Sequence, residues 1–219
     1  MLEVCASNYQ SSINAQEAGA HRIELCEDLE VGGVTPSKKL INRVVEELNI
    51  PVFVLIRPRE GDFVYSESEF STMKESIKQC KDLGCTGIDS GILKKEKSVD
   101  IERTKQLIEL SKPLPFTFHR AFDEVVNPLK ALDQLIDLGA DRILTSGQES
   151  SAEKGIELLK SLNNKTKDKI IILPGAGVNP NNVKLFKDSG FTEVHASASG
   201  NGSISNIETI KTLLEIING

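Results

Sequence analysis

The chain has 219 residues, 39% of them hydrophobic, with a formal net charge of −6. That length holds one large core or two small ones, and the composition is that of a globular protein. The negative balance argues against nucleic acid as a partner, and no run of 18 apolar residues marks a membrane span.

Strand and helix signals alternate from end to end. Leu2–Ala6 is the first predicted strand and Ser11–Ala18 the first predicted helix, followed by Arg22–Cys26 with Ser37–Leu48, and Val52–Arg57 with Glu67–Leu83. Then come Gly87–Gly91 with Asp100–Ser111, Phe116–His119 with Pro128–Leu138, and Arg142–Ser146 with Ala152–Leu162. Ile170–Pro174 with Pro180–Ser189 and Glu193–Ser197 with Ser205–Ile217 complete the series. Apolar spacing such as Leu129, Leu132, Leu135 and Ile136 supports the helices, and glycines 84, 139 and 190 mark their ends. Eight βα units without a composition break predict a single domain over residues 1–219, a closed α/β (β/α)8 TIM barrel. A doubly wound open sheet is the alternative, but the first βα turn, Ala6-Ser7-Asn8-Tyr9, lacks its glycines. The first residues enter a strand at once, without a basic or apolar leader, so no secretory signal is expected. A reducing cytoplasm is the expected home, where Cys5, Cys26, Cys80 and Cys85 stay thiols.

Strand side chains alternate between two faces. In a barrel one face packs on helices, and the working end lies where strands pass into βα loops. Leu2-Glu3-Val4-Cys5 and Ile23-Glu24-Leu25-Cys26 repeat one pattern, with Glu and Cys sharing a face. Thr117 and His119 share a face in the fifth strand, the odd positions of residues 193–197 are the polar ones, and Arg57 ends the third strand. The interior set is therefore expected to be Glu3, Cys5, Glu24, Cys26, Arg57, His119, His195 and Ser197. Arg59, Asp62, Arg120 and Asp123 follow just beyond. Arg57 and Arg59 would also offset Glu3 and Glu24, whose charges are costly to bury alone.

Two chemistries compete for this set. Neighbouring strands lie about 4.8 Å apart, so Cys5 and Cys26 are predicted to hold one soft metal ion. Two thiolates with no obligatory third ligand suit copper(I). Zinc would ask for four ligands, adding His119 or Glu24, and an iron–sulfur cluster for four cysteines. Cys80 and Cys85 flank a helix end and read as packing. The rival is an enzyme acting on a small anionic or phosphorylated metabolite. Gly175 and Gly177 follow the seventh strand and Ser197–Gly200 the eighth, the two loops that hold phosphate in many barrels. Arg57, Arg59, Gly175, Gly177 and Ser197 would bind the anion, and His119, Glu3, Glu24 or Asp123 would move protons. No lysine ends a strand, which excludes a Schiff-base nucleophile, and no Ser-His-Asp arrangement is evident.

The motifs together resemble the CutC copper-homeostasis family over essentially the whole chain. They are Leu2–Cys5, Arg22–Cys26, Gly32–Ser37, Ile56–Arg59 with Gly61–Phe63, Thr117–Asp123, Leu144–Gly147, Pro174–Gly177 and Glu193–His195. The resemblance implies a (β/α)8 barrel, a cytoplasmic location, homo-oligomerisation as a dimer or tetramer, and a copper ion as partner through Cys5 and Cys26. One residue departs from the pattern: Asp89 stands where the family usually carries an apolar residue. A strand Asp must face the site or find a partner.

Overall fold

The computed structural model describes residues 1–166, 168–199 and 202–219. Gly200, named above with the loop after the eighth strand, lies outside them. The first four units run β1 Leu2–Ala6, α1 Tyr9–Ala18, β2 Arg22–Leu25, α2 Lys38–Glu47, β3 Val52–Ile56, α3 Glu67–Asp82, β4 Gly87–Ser90 and α4 Ile101–Ser111. The last four run β5 Phe116–Phe118, α5 Pro128–Leu138, β6 Arg142–Thr145, α6 Ile156–Thr166, β7 Ile171–Pro174, α7 Val183–Asp188, β8 Val194–Ala196 and α8 Ile207–Asn218. Side-chain caps fix several helix starts, among them Asn8, Asn127 and a capping box of Ser66 with Glu69. Among the described residues no helix is long and apolar enough to cross a membrane.

All strand pairs are parallel, in the order β7-β6-β5-β4-β3-β2-β1-β8. β8 also lies against β7, so the barrel is nearly closed, with no ladder across that seam among the described residues. The outward side chains, such as Val4, Ile23, Val54, Ile88, Phe116 and Phe118, join the helices in the main core. Inside the barrel, Cys5, Cys26 and Leu55 form a separate small apolar cluster with Leu29 beside it.

Two differences from the sequence reading have physical causes. Six strands stop one residue earlier than expected, at Leu25, Ile56, Ser90, Phe118, Thr145 and Ala196. At Arg57 and Ser146 the backbone N–H has already turned to loop side chains, those of Thr35 and Asp123, whereas the N–H groups of Cys26 and His119 make one last bond to the neighbouring strand. Helix α6 begins at Ile156 rather than Ala152. A Cβ on Gly155 would meet the Ser146 carbonyl oxygen at 2.0 Å. The chain must cross the loop after β6 before a helix can start.

The barrel stagger also sets which inward residues meet. Glu3 is opposite Arg22, and Cys5 is opposite Glu24. The two matching motifs are thus displaced by two residues, as the shear of a barrel requires. On the other side Glu3 is opposite His195.

Candidate metal centre and mouth cavity

The deepest interior layer is charged and paired. Arg22 binds Glu3 and, at 2.5 Å, Glu193, while Arg142 Nε binds Glu193 at 2.9 Å. Both guanidinium groups lie over the Phe53 ring, 5.0 and 5.5 Å from its centroid. Arg22 and Arg142, not Arg57 and Arg59, are therefore the cations that offset the buried carboxylates. Period-two spacing puts Arg22 on the face of Glu24 and Cys26, so this partner was open to detection in the sequence.

Above this floor, Glu3 reaches up to His195, with Nδ1 to Oε1 at 2.7 Å. Burial pushes the Glu3 pKa up, but hydrogen bonding to His195 and the charge of Arg22 outweigh it and hold the group at about 2. An ionised carboxylate only accepts, so the His195 proton sits on Nδ1. Nε2 then faces Glu24 Oε2 at 3.9 Å. The donor atoms of Cys5, Glu24 and His195 all lie within 4.8 Å of one another. Burial and the nearby Glu3 charge raise Glu24 to about 7. Asp89, fully buried in β4, is pushed well above the usual carboxylate range by burial and by Glu3 and Glu24. Its oxygens and the Thr117 hydroxyl have no hydrogen-bond partner in the structure.

Cys26 lies beside Cys5, with the sulfurs 3.8 Å apart. The hydrogen bond between them and burial push the Cys5 thiol up, so it rests protonated. Metal–sulfur bonds of about 2.3 Å separate two thiolates on one ion by about 3.8 Å at a tetrahedral angle and about 4.6 Å in a line. At 3.8 Å the pair matches the bent spacing, and a linear two-coordinate ion would require the sulfurs to part by about 0.8 Å.

A cavity of about 240 Å³ opens above the centre. Cys5, Glu24, Arg57, His119, Gly177, Ser197 and His195 line it with Arg120 and an apolar wall of Leu29, Leu55, Phe63 and Leu144. His119 packs on Phe63 with ring centroids 5.0 Å apart, and Gly91 leaves room for the imidazole, since a Cβ there would come within 2.7 Å of it. Its Nδ1 accepts from the Ala121 N–H, while Nε2 is buried without a partner. Burial and Arg57 push His119 down to about 3, so the ring is neutral.

Other predicted residues stand outside this lining. Cys26 is completely buried, with Gly33 folded over it. Glu3 is below, as described. Gly175 is covered by Leu144. Arg59 spends its N–H groups on Glu69, Asp62 and the carbonyls of Glu60, Asp62 and Val64. Arg57 holds the carbonyls of Val31, Gly33 and Gly61, yet borders the cavity. Asp123 pins the loop after β6, accepting from Thr145, Ser146, Gln148 and Arg120.

The sequence profile of the CutC family matches residues 1–200. The chain belongs to the CutC family. Similar members of the CutC family include a CutC protein of Proteus mirabilis, 48% identical over 197 residues that cover 90% of this chain and 78% of the relative. The human copper homeostasis protein cutC homolog is 44% identical over 199 residues, 90% of this chain and 73% of the relative. A crystal structure of CutC from Streptococcus agalactiae superposes with a TM-score of 0.84 at 34% identity, covering 90% of this chain and 98% of that one. Phosphoribosylanthranilate isomerase of Thermotoga maritima, at 14% identity and a TM-score of 0.65, shares the barrel fold.

Proposed function

We propose that this CutC-family barrel takes part in copper homeostasis by binding copper(I) between Cys5 and Cys26. The observation that carries the reading is the 3.8 Å thiol pair in an apolar pocket beside an open cavity. Thiolates are soft donors that favour copper(I) over harder ions. Binding exchanges the thiol protons for the ion, which offsets the cost of ionising two buried thiols. Copper here is cargo, loaded and released through the mouth. A cytoplasmic setting keeps the thiols reduced, and a dimer or tetramer, checked by light scattering, belongs to the same reading. Titration of reduced protein with copper(I) against a chelator should show tight binding. Cys5→Ser and Cys26→Ser should each weaken it at least 100-fold, and Cys80→Ser, in the core outside the barrel, should leave it unchanged. Equal affinity in all variants refutes the reading.

The unpartnered Nε2 of His119 favours a second reading, acid/base chemistry on a small anion held by Arg57, Arg120, Gly177 and Ser197. Inorganic phosphate at fixed ionic strength should then raise the melting temperature of wild type but not of Arg120→Gln. Equal shifts would remove it.

A further inference from the structure

We propose that Cys5, Glu24 and His195 form a second metal position for a divalent ion of the zinc class, with its fourth coordination place open to the cavity. It goes beyond copper(I) binding and does not depend on it, although the two positions share Cys5.

Four observations converge. First, one thiol, one carboxylate and one imidazole present donor atoms within 4.8 Å of one another. Tetrahedral zinc with these ligands spaces its donors by about 3.3–3.6 Å, and His195 Nε2 to Glu24 Oε2, at 3.9 Å, needs to close by only about half an ångström. Second, His195 carries the support that metal-binding histidines have. Its Nδ1 is held by Glu3, which Arg22 anchors in turn, so the Nε2 lone pair is aimed at the other two donors. Third, all three residues border the cavity, whereas Cys26 is buried behind Cys5. Three protein ligands and one free place is the arrangement of zinc sites whose fourth position takes water or a small ligand. Fourth, the charges balance. A Cys5 thiolate and a Glu24 carboxylate carry two negative charges, and the floor arginines are already engaged by Glu3 and Glu193. A divalent ion neutralises the set. On binding, the Cys5 thiol proton, with any proton on Glu24, leaves through the mouth, and water takes the fourth place.

Cobalt(II) serves as the visible probe and zinc as the competitor. Reduced, metal-free protein should bind one cobalt(II), with a thiolate-to-cobalt charge-transfer band and the intense visible bands of a four-coordinate ion. Zinc should bleach both. Azide should shift the spectrum by taking the open place. His195→Gln should weaken cobalt(II) at least 100-fold and Glu3→Gln about 10–100-fold, while Cys26→Ser should hold it within about threefold. Because buried substitutions can unfold the chain, X-ray absorption of zinc-loaded wild type gives an independent reading. One sulfur with nitrogen and oxygen neighbours is expected. Two sulfurs, no cobalt(II) binding by wild type, or loss of cobalt(II) in Cys26→Ser overturns the proposal, and an unmoved azide spectrum overturns its open place. Cys26→Ser also separates the two readings. Copper(I) lost and cobalt(II) kept supports both, while copper(I) unchanged there refutes only the thiol pair.

Discussion

Glu3 and Glu24 occupy the same place in two matching strands and are driven to opposite ionisation. Glu3 meets Arg22 and His195 and stays ionised, whereas Glu24 is buried beside the Glu3 charge and holds its proton up to about pH 7. The difference comes from the two-residue displacement between β1 and β2, not from the residues themselves. His119 offers a cleaner reading of burial, since it stands apart from the metal donors. Its pKa falls from 6.5 to about 3 on folding, so the unfolded chain binds the extra proton between these values. The stabilisation from keeping the ring neutral is complete above pH 6.5 and is lost as pH falls toward 3. At 1.36 kcal/mol per unit, wild type should lose about 2 kcal/mol more than His119→Gln between pH 7.5 and pH 5. Urea unfolding at the two pH values measures it, and equal losses would contradict a buried neutral ring.

At the level of elements, periodicity was a good guide to faces and a poor one to partners. The alternation in Leu2–Cys5 and Ile23–Cys26 put the right side chains inside, and the eight βα signals correspond to the eight observed units. What alternation does not encode is stagger, so Cys5 opposite Glu24 was not readable from two matched motifs. His195 meets Glu3 because β8 sits beside β1, a contact between the two ends of the chain. Loop residues were harder still: Arg59 and Asp123 look like site groups in sequence, and only the fold reveals the carbonyls, amides and hydroxyls that occupy them. The late start of α6 gives this scale its prediction. Gly155 has an ordinary backbone conformation but no room for a side chain. Gly155→Ala should cost about 1–3 kcal/mol by overpacking, despite the better helix propensity of alanine. An unchanged denaturant midpoint would contradict the crossing.

For the molecule as a whole, the seam between β7 and β8 is the weak line of the barrel. The Val194 N–H donates to Met1 and the Ile171 N–H to Asp141, so by alternation the N–H groups of His195 and Ile172 face the seam. Backbone groups without a ladder open at lower cost. Hydrogen exchange should find these two amides less protected than Val54 and Ile88 in the paired strands, and equal protection would mean the seam is laddered in solution. The opposite property belongs to the floor. Arg22, Glu193, Arg142 and Phe53 fill the N-terminal end of the barrel, so the interior is a cul-de-sac rather than a tunnel. Anything that enters through the mouth leaves by the same opening. On either proposed metal reading, an ion at Cys5 would share its one exit with whatever fills the cavity, so a molecule held in the mouth would lengthen the ion's stay.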